Sequence, residues 1–396
     1  MSETSKNWSN YEMEYLYALR EEGIPYRIIA TELKRSSDAC EKKYRNTIWS
    51  KMPFYDAQKH RMKEDLKKGY FTKITELGEK RFEAEKFKTD IIADKVVMSI
   101  EALPKVNRLI YKFNSKNDKK HSNEDVGLML SDAHIGHCHT LEETGGISEY
   151  NVDIFKKRVE VLKQNTASIV ELHSKLYSLP TLHIFCLGDI VAGMNNTGNW
   201  SPIYINMPVY DQMMTGFDAI SDMIYYWLGI FDNIVFYGCN GNHGRCASLG
   251  FEKEYINWDF LCYKFLEAKF SNNTNVKFVI PKTWWILSKI RNHKFLMVHG
   301  EDIKGSSNIN SLCTYEQRMS SIIKSNFDYM LMGHFHSSAD ITTSSGRIIA
   351  NGSFLGPDVY SLKNLQKGSK PEQKIFGIHD KRGVTWSYNL DLDLER

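Results

Sequence analysis

At 396 residues, 42% of them hydrophobic and 25% charged, the chain is long enough for two or three domains around a sizeable core. Its formal net charge of +3 excludes a uniformly acidic or basic protein. No run of about 18 apolar residues occurs, and the opening MSETSKNWSN lacks a signal peptide's apolar segment, which predicts a soluble, cytoplasmic protein with no membrane partner.

Residues 1–50 have a pattern of their own. Trp8, Tyr11, Tyr15, Leu16 and Leu19 recur at helical spacing and stop at Gly23, predicting a first helix with one apolar face. A second follows Pro25, with Ile28, Ile29 and Leu33 inward. Ser36 and Ser37 can cap a third, which carries Ala39, Cys40, Tyr44, Ile48 and Trp49 on one side and leaves Lys42, Lys43 and Arg45 on the other. Three short helices, aromatics at both ends and a basic last helix resemble a Myb/SANT-like helix-turn-helix module, with Trp8 and Trp49 where that repeat has its outer tryptophans. The resemblance implies DNA binding, the third helix entering a major groove. Bundles of this kind also dock partner proteins, and that alternative stays open.

Residues 51–121 are strongly charged, with 18 Lys/Arg against 11 Asp/Glu, whereas residues 1–50 balance eight against eight. Residues 122–396 are therefore left at about −4, and the basic arm would steer a polyanion. Ile92, Val96 and Ile100 predict a helix over 91–103 that packs on the rest of the chain or on a second copy in a homodimer; a solvated spacer is the other reading. Residues 114–124 read as a polar linker.

Beyond the linker, short apolar runs end repeatedly in the same residue types. Residues 126–130 lead to Asp132 and His134, 182–187 to Gly188 and Asp189, and 234–237 to Asn242 and His243. Residues 295–298 lead to His299, and 329–332 to His334 and His336. Runs of that length read as buried strands, and ligands gather at the carboxyl ends of strands in α/β sheets. Taken alone, a single Gly-Asp after a strand reads better as a turn residue capping the next element. Structural histidines would scatter over helices and surfaces, so five strand ends presenting Asp, Asn and His predict a metal centre instead. Carboxylate and amide oxygens mixed with imidazoles, without thiolate, suit Mn²⁺, Fe or Zn²⁺ at a catalytic site. Two such ions need a shared ligand, and Asp189 is the natural bridge.

Helical stretches at 152–176, 210–228 and 255–270 alternate with these strands, and further strands are expected around 284–289, 341–349 and 383–388. That alternation predicts an α/β protein with a largely buried sheet. The cysteines, Cys40, Cys138, Cys186, Cys239, Cys246, Cys262 and Cys313, form no Cys-x-x-Cys pair and read as free thiols in a reducing compartment. Cys138 and Cys246 are expected to pack beside the centre rather than to react.

The succession Asp132-Ala-His134, Gly188-Asp189, Gly241-Asn242-His243, His299-Gly300 and Gly333-His334-Phe-His336 resembles the calcineurin-like metallophosphoesterases, from about Asp125 onward. The resemblance implies a four-layer αββα sandwich over residues 122–396 and two divalent ions, Mn²⁺ in first place. It implies one ion on Asp132, His134, Asp189 and His336, and the other on Asp189, Asn242, His299 and His334. It makes His243 the catalytic histidine, acting on the leaving oxygen after in-line attack by an activated water, with no covalent enzyme intermediate. One departure is that the family often has an acid after that histidine, where this chain has Gly244-Arg245. Arg245 is a candidate phosphate ligand, with a structural ion pair as the alternative.

Other residues flank these blocks. His137 and His139 are expected to be loop histidines, and Asn351-Gly352-Ser353 to border the site. Trp200, Tyr204 and Tyr210 are expected to pack, base stacking being the other reading. The metal blocks resemble SbcD-type nucleases, and the HGRC turn with residues 370–373 resembles phage-borne metallophosphoesterases of the DNA-repair-exonuclease kind. Joined to the N-terminal module, this predicts a phage-encoded DNA phosphodiesterase in the host cytoplasm, with a partner protein such as an ATPase left open. The alternative is a phosphatase, or a nucleotide or cyclic-nucleotide phosphodiesterase, whose bundle docks a protein. The complete ligand set disfavours a non-enzymatic DNA-binding regulator.

Overall fold

A computed structural model describes residues 8–21, 24–47, 122–194, 204–246, 253–303, 308–366 and 368–393. The chain divides into two units, residues 1–101 and 102–396. The charged segment 51–121 with the helix expected at 91–103, and also Ile48, Trp49 and Trp200, lie outside the described residues.

In the first unit, helices α1 (Asn10–Glu21), α2 (Tyr26–Leu33) and α3 (Ser37–Asn46) enclose a core of Leu16, Leu19, Ile29, Ala30 and Cys40. Trp8, Tyr15, Tyr26, Leu33 and Tyr44 pack around it. Tyr11 departs from the expected apolar face and is 61% exposed. At 100° per residue it stands about 140° round the helix from Leu16, whereas Met13, about 60° away, is buried. Ser9 and Glu12 form a capping box: the Glu12 N–H donates to Ser9 Oγ at 3.2 Å and the Ser9 N–H to Glu12 Oε2 at 2.8 Å. Ser36 caps α3 as expected, its side chain accepting from the Ala39 N–H. Arg35 grips Glu12 with Nε and Nη2 at 2.9 and 3.1 Å and lies over the Trp8 ring at 4.3 Å. That hydrogen bond, then the one from Ser9, holds the Glu12 carboxyl at about 2.

The second unit is a mixed α/β assembly built on two sheets. The first contains β1 (Ser122–Leu130), β2 (Tyr177–Ser178), β3 (Thr181–Cys186), β4 (Asn233–Gly238), β5 (Val276–Val279), β11 (Glu372–His379) and β12 (Gly383–Asp391). Its order is β12-β11-β1-β3-β4-β5, with β1, β3, β4 and β5 parallel and β11 antiparallel to both its neighbours, β1 and β12. The second runs β6-β7-β8-β10-β9, from β6 (Trp285–Ile290), β7 (His293–Val298), β8 (Tyr329–Met332), β9 (Ala339–Thr342) and β10 (Arg347–Ala350). Strands β7, β8 and β10 are parallel.

Alternation along the strands divides each sheet into two faces. Met129, Phe185, Tyr237 and Phe376 of the first sheet meet Ile286, Phe295, Met297, Leu331 and Ile349 of the second in one apolar cluster. Phe236, next to Tyr237, points the other way, onto Tyr263 of the helix at Trp258–Lys269. Helices α4 (Val152–Ser174), α5 (Val209–Trp227) and α6 (Trp258–Lys269) connect the parallel strands. Leu312 and Met319 of α7 (Ile309–Ile323) pack with Leu296, Met330 and Ile348 of the second sheet.

Several expectations need correction. The linker ends earlier than Glu124, because Ser122 and Asn123 already pair with β2. Residues 341–349 are a hairpin rather than one strand, since Ser344-Ser345-Gly346 turns the chain between β9 and β10. Helix α6 begins at Trp258, three residues late, because Asn257 caps it. Strands β5 and β11 and helix α7 had not been expected. Among the described residues, no helix is long and apolar enough to cross a membrane.

Candidate metal centre

The predicted ligands stand just past the carboxyl ends of β1, β3, β4, β7 and β8. The loops after β1 and β3 are laced together by Asp132 N–H to Gly188 O at 3.1 Å and His134 N–H to Asp189 O at 3.0 Å. Asp132, His134, Asp189, His334 and His336 all have positive φ, from 44° to 68°. Side-chain-bearing residues avoid that left-handed region, and such backbone persists only where its surroundings over-determine it. Two glycines allow the loops after β3 and β4 to approach closely. A Cβ on Gly241 would collide with the Asp189 carboxylate, and one on Gly188, at φ 91°, would strike the Gly241 backbone.

These turns bring the expected side chains together. His134 Nε2 lies 3.0 Å from His336 Nε2 and 3.9 Å from Asp132 Oδ1, and His336 Nε2 lies 3.4 Å from the same oxygen. On the other side, His299 Nε2 is 3.1 Å from Asp189 Oδ2 and 3.0 Å from Asn242 Oδ1. The same Oδ2 is 4.0 Å from His134 Nε2. Asp189 thus faces both groups with one oxygen, while its Oδ1 accepts the His243 N–H at 2.8 Å. Ligand atoms of Asp132, His134 and His336 lie within 4.8 Å of one another, as do those of Asp189, His299 and His334.

This donor set fits a pair of divalent ions: carboxylate and amide oxygens with imidazole nitrogens converging, and no sulfur among them. Burial pushes the His134 imidazole well below its ordinary value and lowers His334 to about 4, which keeps both neutral, the ligating form. Burial also opposes a charge on His299, but the Asp189 carboxylate outweighs it and raises that imidazole to about 10. Burial likewise works against ionised Asp189, yet His299 and His243 hold it well below the usual carboxylate range. An ion held by Asp189 and His299 would take the place of the proton they share.

No family model matches this sequence, and no curated protein matches it. Among solved structures, wild-type Vps29 complexed with zinc from Entamoeba histolytica aligns over 68% of this chain and 99% of its own, at 13% identity and a TM-score of 0.27. A novel archaeal phosphodiesterase aligns over 67% and 99%, at 11% identity and 0.29. A conserved uncharacterized protein and predicted phosphoesterase from Streptococcus pneumoniae aligns over 67% and 98%, at 11% identity and 0.26. At such scores the site's own geometry has to carry the functional reading.

That geometry defines His243 closely. Its Nδ1 is 3.1 Å from the Ala192 carbonyl, which can only accept, so Nδ1 carries the hydrogen and a neutral ring keeps its lone pair on Nε2. The Ala192 carbonyl thereby fixes the orientation of the ring. The ring stands edge-on to His134, centroids 4.6 Å apart, and burial lowers its pKa against the pull of Asp189. Arg245 forms an ion pair with Glu301, two residues past His299.

His137 and His139 stand in the loop after β1 as expected, but both are buried, with His137 Nε2 3.1 Å from His139 Nδ1. Tyr204 packs near the His137 ring at 5.9 Å, Tyr210 is exposed, and Cys138 and Cys246 are half-buried. Asn351 donates to Ser131 Oγ at 2.9 Å and to Gln373 Oε1 at 2.8 Å, and Gln373 Oε1 also accepts the Ser131 N–H at 3.0 Å. The Phe354 N–H donates to Asp132 O at 3.1 Å, so residues 351–354 and Gln373 brace the Asp132 loop.

Two residues have contacts at the site that the sequence does not predict: Asp259, and Gln373 within the segment 370–373. Gln373 lies on the unexpected β11. Asp259 is fully buried, and its carboxylate accepts the N–H groups of Asp189, Ile190 and Gly241 at 2.8, 3.1 and 2.9 Å. Burial, then the Asp189 charge, raises its pKa to about 7 against those hydrogen bonds. Asn257-x-Asp259 at a helix start is a signal, but one that reads as ordinary capping.

Proposed function

We propose that residues 122–396 form a four-layer αββα metallophosphoesterase that hydrolyses DNA phosphodiester bonds with two divalent ions, Mn²⁺ in first place. The observation that carries this reading is the shared oxygen of Asp189, 3.1 Å from His299 Nε2 and 4.0 Å from His134 Nε2. When bound, the ions would polarise phosphoryl oxygens and lower the pKa of water.

The chain's own groups do the rest. Asp132, His134 and His336 would hold one ion and Asn242, His299 and His334 the other, with Asp189 common to both. His243, its Nδ1–H committed to Ala192, offers Nε2 to the leaving oxygen and can donate a proton there as imidazolium. Arg245 has five N–H donors, more than the one carboxylate of Glu301 can accept, so it can also bind a phosphate oxygen.

DNA is favoured over other phosphates by the first unit. Lys42 and Arg45 are exposed on α3, on a different face from Cys40, and Arg45 is steadied by Glu41 at 2.6 Å. A helix presenting cations in this way suits phosphate contacts and entry into a groove. The test is a panel of single- and double-stranded DNA, RNA, cyclic nucleotides and phosphopeptides incubated with manganese-loaded protein. DNA should be cut fastest. Turnover of cyclic nucleotides or phosphopeptides with DNA intact would replace the nuclease reading by a docking one. Absence of any hydrolysis at full ion occupancy would end the phosphoesterase reading.

A further inference from the structure

The backbone groups that hold Asp259 belong to two different ligand loops. Its Oδ2 accepts from Asp189 N at 2.8 Å, after β3, and from Gly241 N at 2.9 Å, after β4. Its Oδ1 accepts from Ile190 N at 3.1 Å and Val191 N at 3.4 Å. A first-turn aspartate ordinarily serves its own helix, but Asn257 already caps α6 by accepting the Asp259 N–H, which frees the carboxylate for the loops. Asn257 Nδ2 in turn donates to Gly241 O at 2.8 Å. Both polar groups of Gly241 are thus gripped from one helix start, one residue before Asn242 and against the carboxylate of Asp189.

We propose that Asp259 is a positioning residue that locks the Asp189 loop to the Asn242–His243 loop and so sets the spacing of the ion pair. The inference rests on the dinuclear reading above. Without this clamp, the shared ligand and the amide ligand would sit on loops joined only by their own contacts. Because both Asp259 oxygens accept N–H groups, an amide in either orientation turns its NH₂ against donors, so the isosteric Asn cannot substitute.

The test uses the full chain loaded with manganese. In Asp259→Asn, one ion should bind about 10- to 100-fold more weakly, the usual effect of removing a group that orients ligands. The electron-spin signature of an exchange-coupled manganese pair should weaken in parallel, and kcat for a small chromogenic diester should fall with KM little changed. Asn257→Ala removes the hydrogen bond to the Gly241 carbonyl while leaving the carboxylate, so it should shift ion affinity in the same direction by less, and it decides the matter if Asp259→Asn does not fold. Variants that bind both ions at wild-type affinity with unchanged coupling, and lose only thermal stability, overturn the proposal. Wild-type protein that binds a coupled pair but hydrolyses no phosphate ester would sink the phosphoesterase reading alone. Wild-type protein without a coupled pair sinks both.

Discussion

The two units treat their charged residues in opposite ways. In residues 8–47 the core is Leu16, Leu19, Ile29, Ala30 and Cys40, and ionised groups such as Glu12 and Arg35 keep to its rim. In the second unit Asp132, His134, Asp189, Asp259 and His299 are each no more than 3% exposed. Burying an ionisable group costs several kcal/mol unless partners compensate it, so a fold does not collect four of them at strand ends and a fifth at the start of α6 for stability. Exposed lysines carry no comparable penalty. The difference teaches that a buried polar cluster announces its chemistry more sharply than a basic helix surface announces its partner.

The hardest blow to this contrast is Asp189→Asn. It should lower metal content in both groups and abolish hydrolysis, whereas His336→Ala should deplete mainly the group of Asp132 and His134. Full occupancy in Asp189→Asn by elemental analysis would break the shared-ligand reading.

His243→Ala comes next. It should keep both ions and bind substrate, yet turn over roughly 10² to 10⁴-fold more slowly. The loss should shrink for a diester whose leaving group needs no proton; equal losses for activated and unactivated diesters would rule out the general acid.

Removing residues 1–50 sharpens the other side of the comparison. Hydrolysis of a small diester should be nearly unchanged while DNA affinity falls. The slope of log affinity against log salt should flatten by roughly 0.9 for each phosphate that Lys42, Lys43 or Arg45 no longer neutralises. An unchanged slope would make the bundle a docking module.

The smallest effect concerns the rim of the first unit. Glu12 is depressed from 4.5 to about 2 by Arg35 and Ser9. Its contribution is therefore complete above pH 4.5 and fades as pH falls toward 2. Partly exposed, the pair should add only ~0.5–1 kcal/mol. Thermal unfolding of Glu12→Gln should differ from wild type at pH 7 and converge with it near pH 2; a constant gap would show that the pair is not the cause.

Much of the second unit was legible because its signals are local. An apolar run such as 182–187 ending in Gly188-Asp189 states a strand and a turn in one stretch, and β8 has the bounds expected, Tyr329–Met332. Residues 341–349, expected as one strand, carry a turn signal at Ser344-Ser345-Gly346 that divides them into β9 and β10. The contacts of Asp259 and Gln373 were illegible. Each acts on backbone groups far along the chain, Gln373 on Ser131 and Asp259 on Asp189. No spacing within one sequence encodes such pairs. Tyr11 shows the same limit on a small scale, since an aromatic at a helix edge satisfies helical spacing without facing the core.

The left-handed backbone at Asp132, His134, Asp189, His334 and His336 sets the site against the fold that carries it. Each such residue costs about 1–2 kcal/mol that glycine would avoid. A lineage selected for robustness alone would drift toward glycine at these five positions, growing hardier as it lost its ligands. On the proposed function, such a centre would be self-erasing wherever its chemistry was no longer needed.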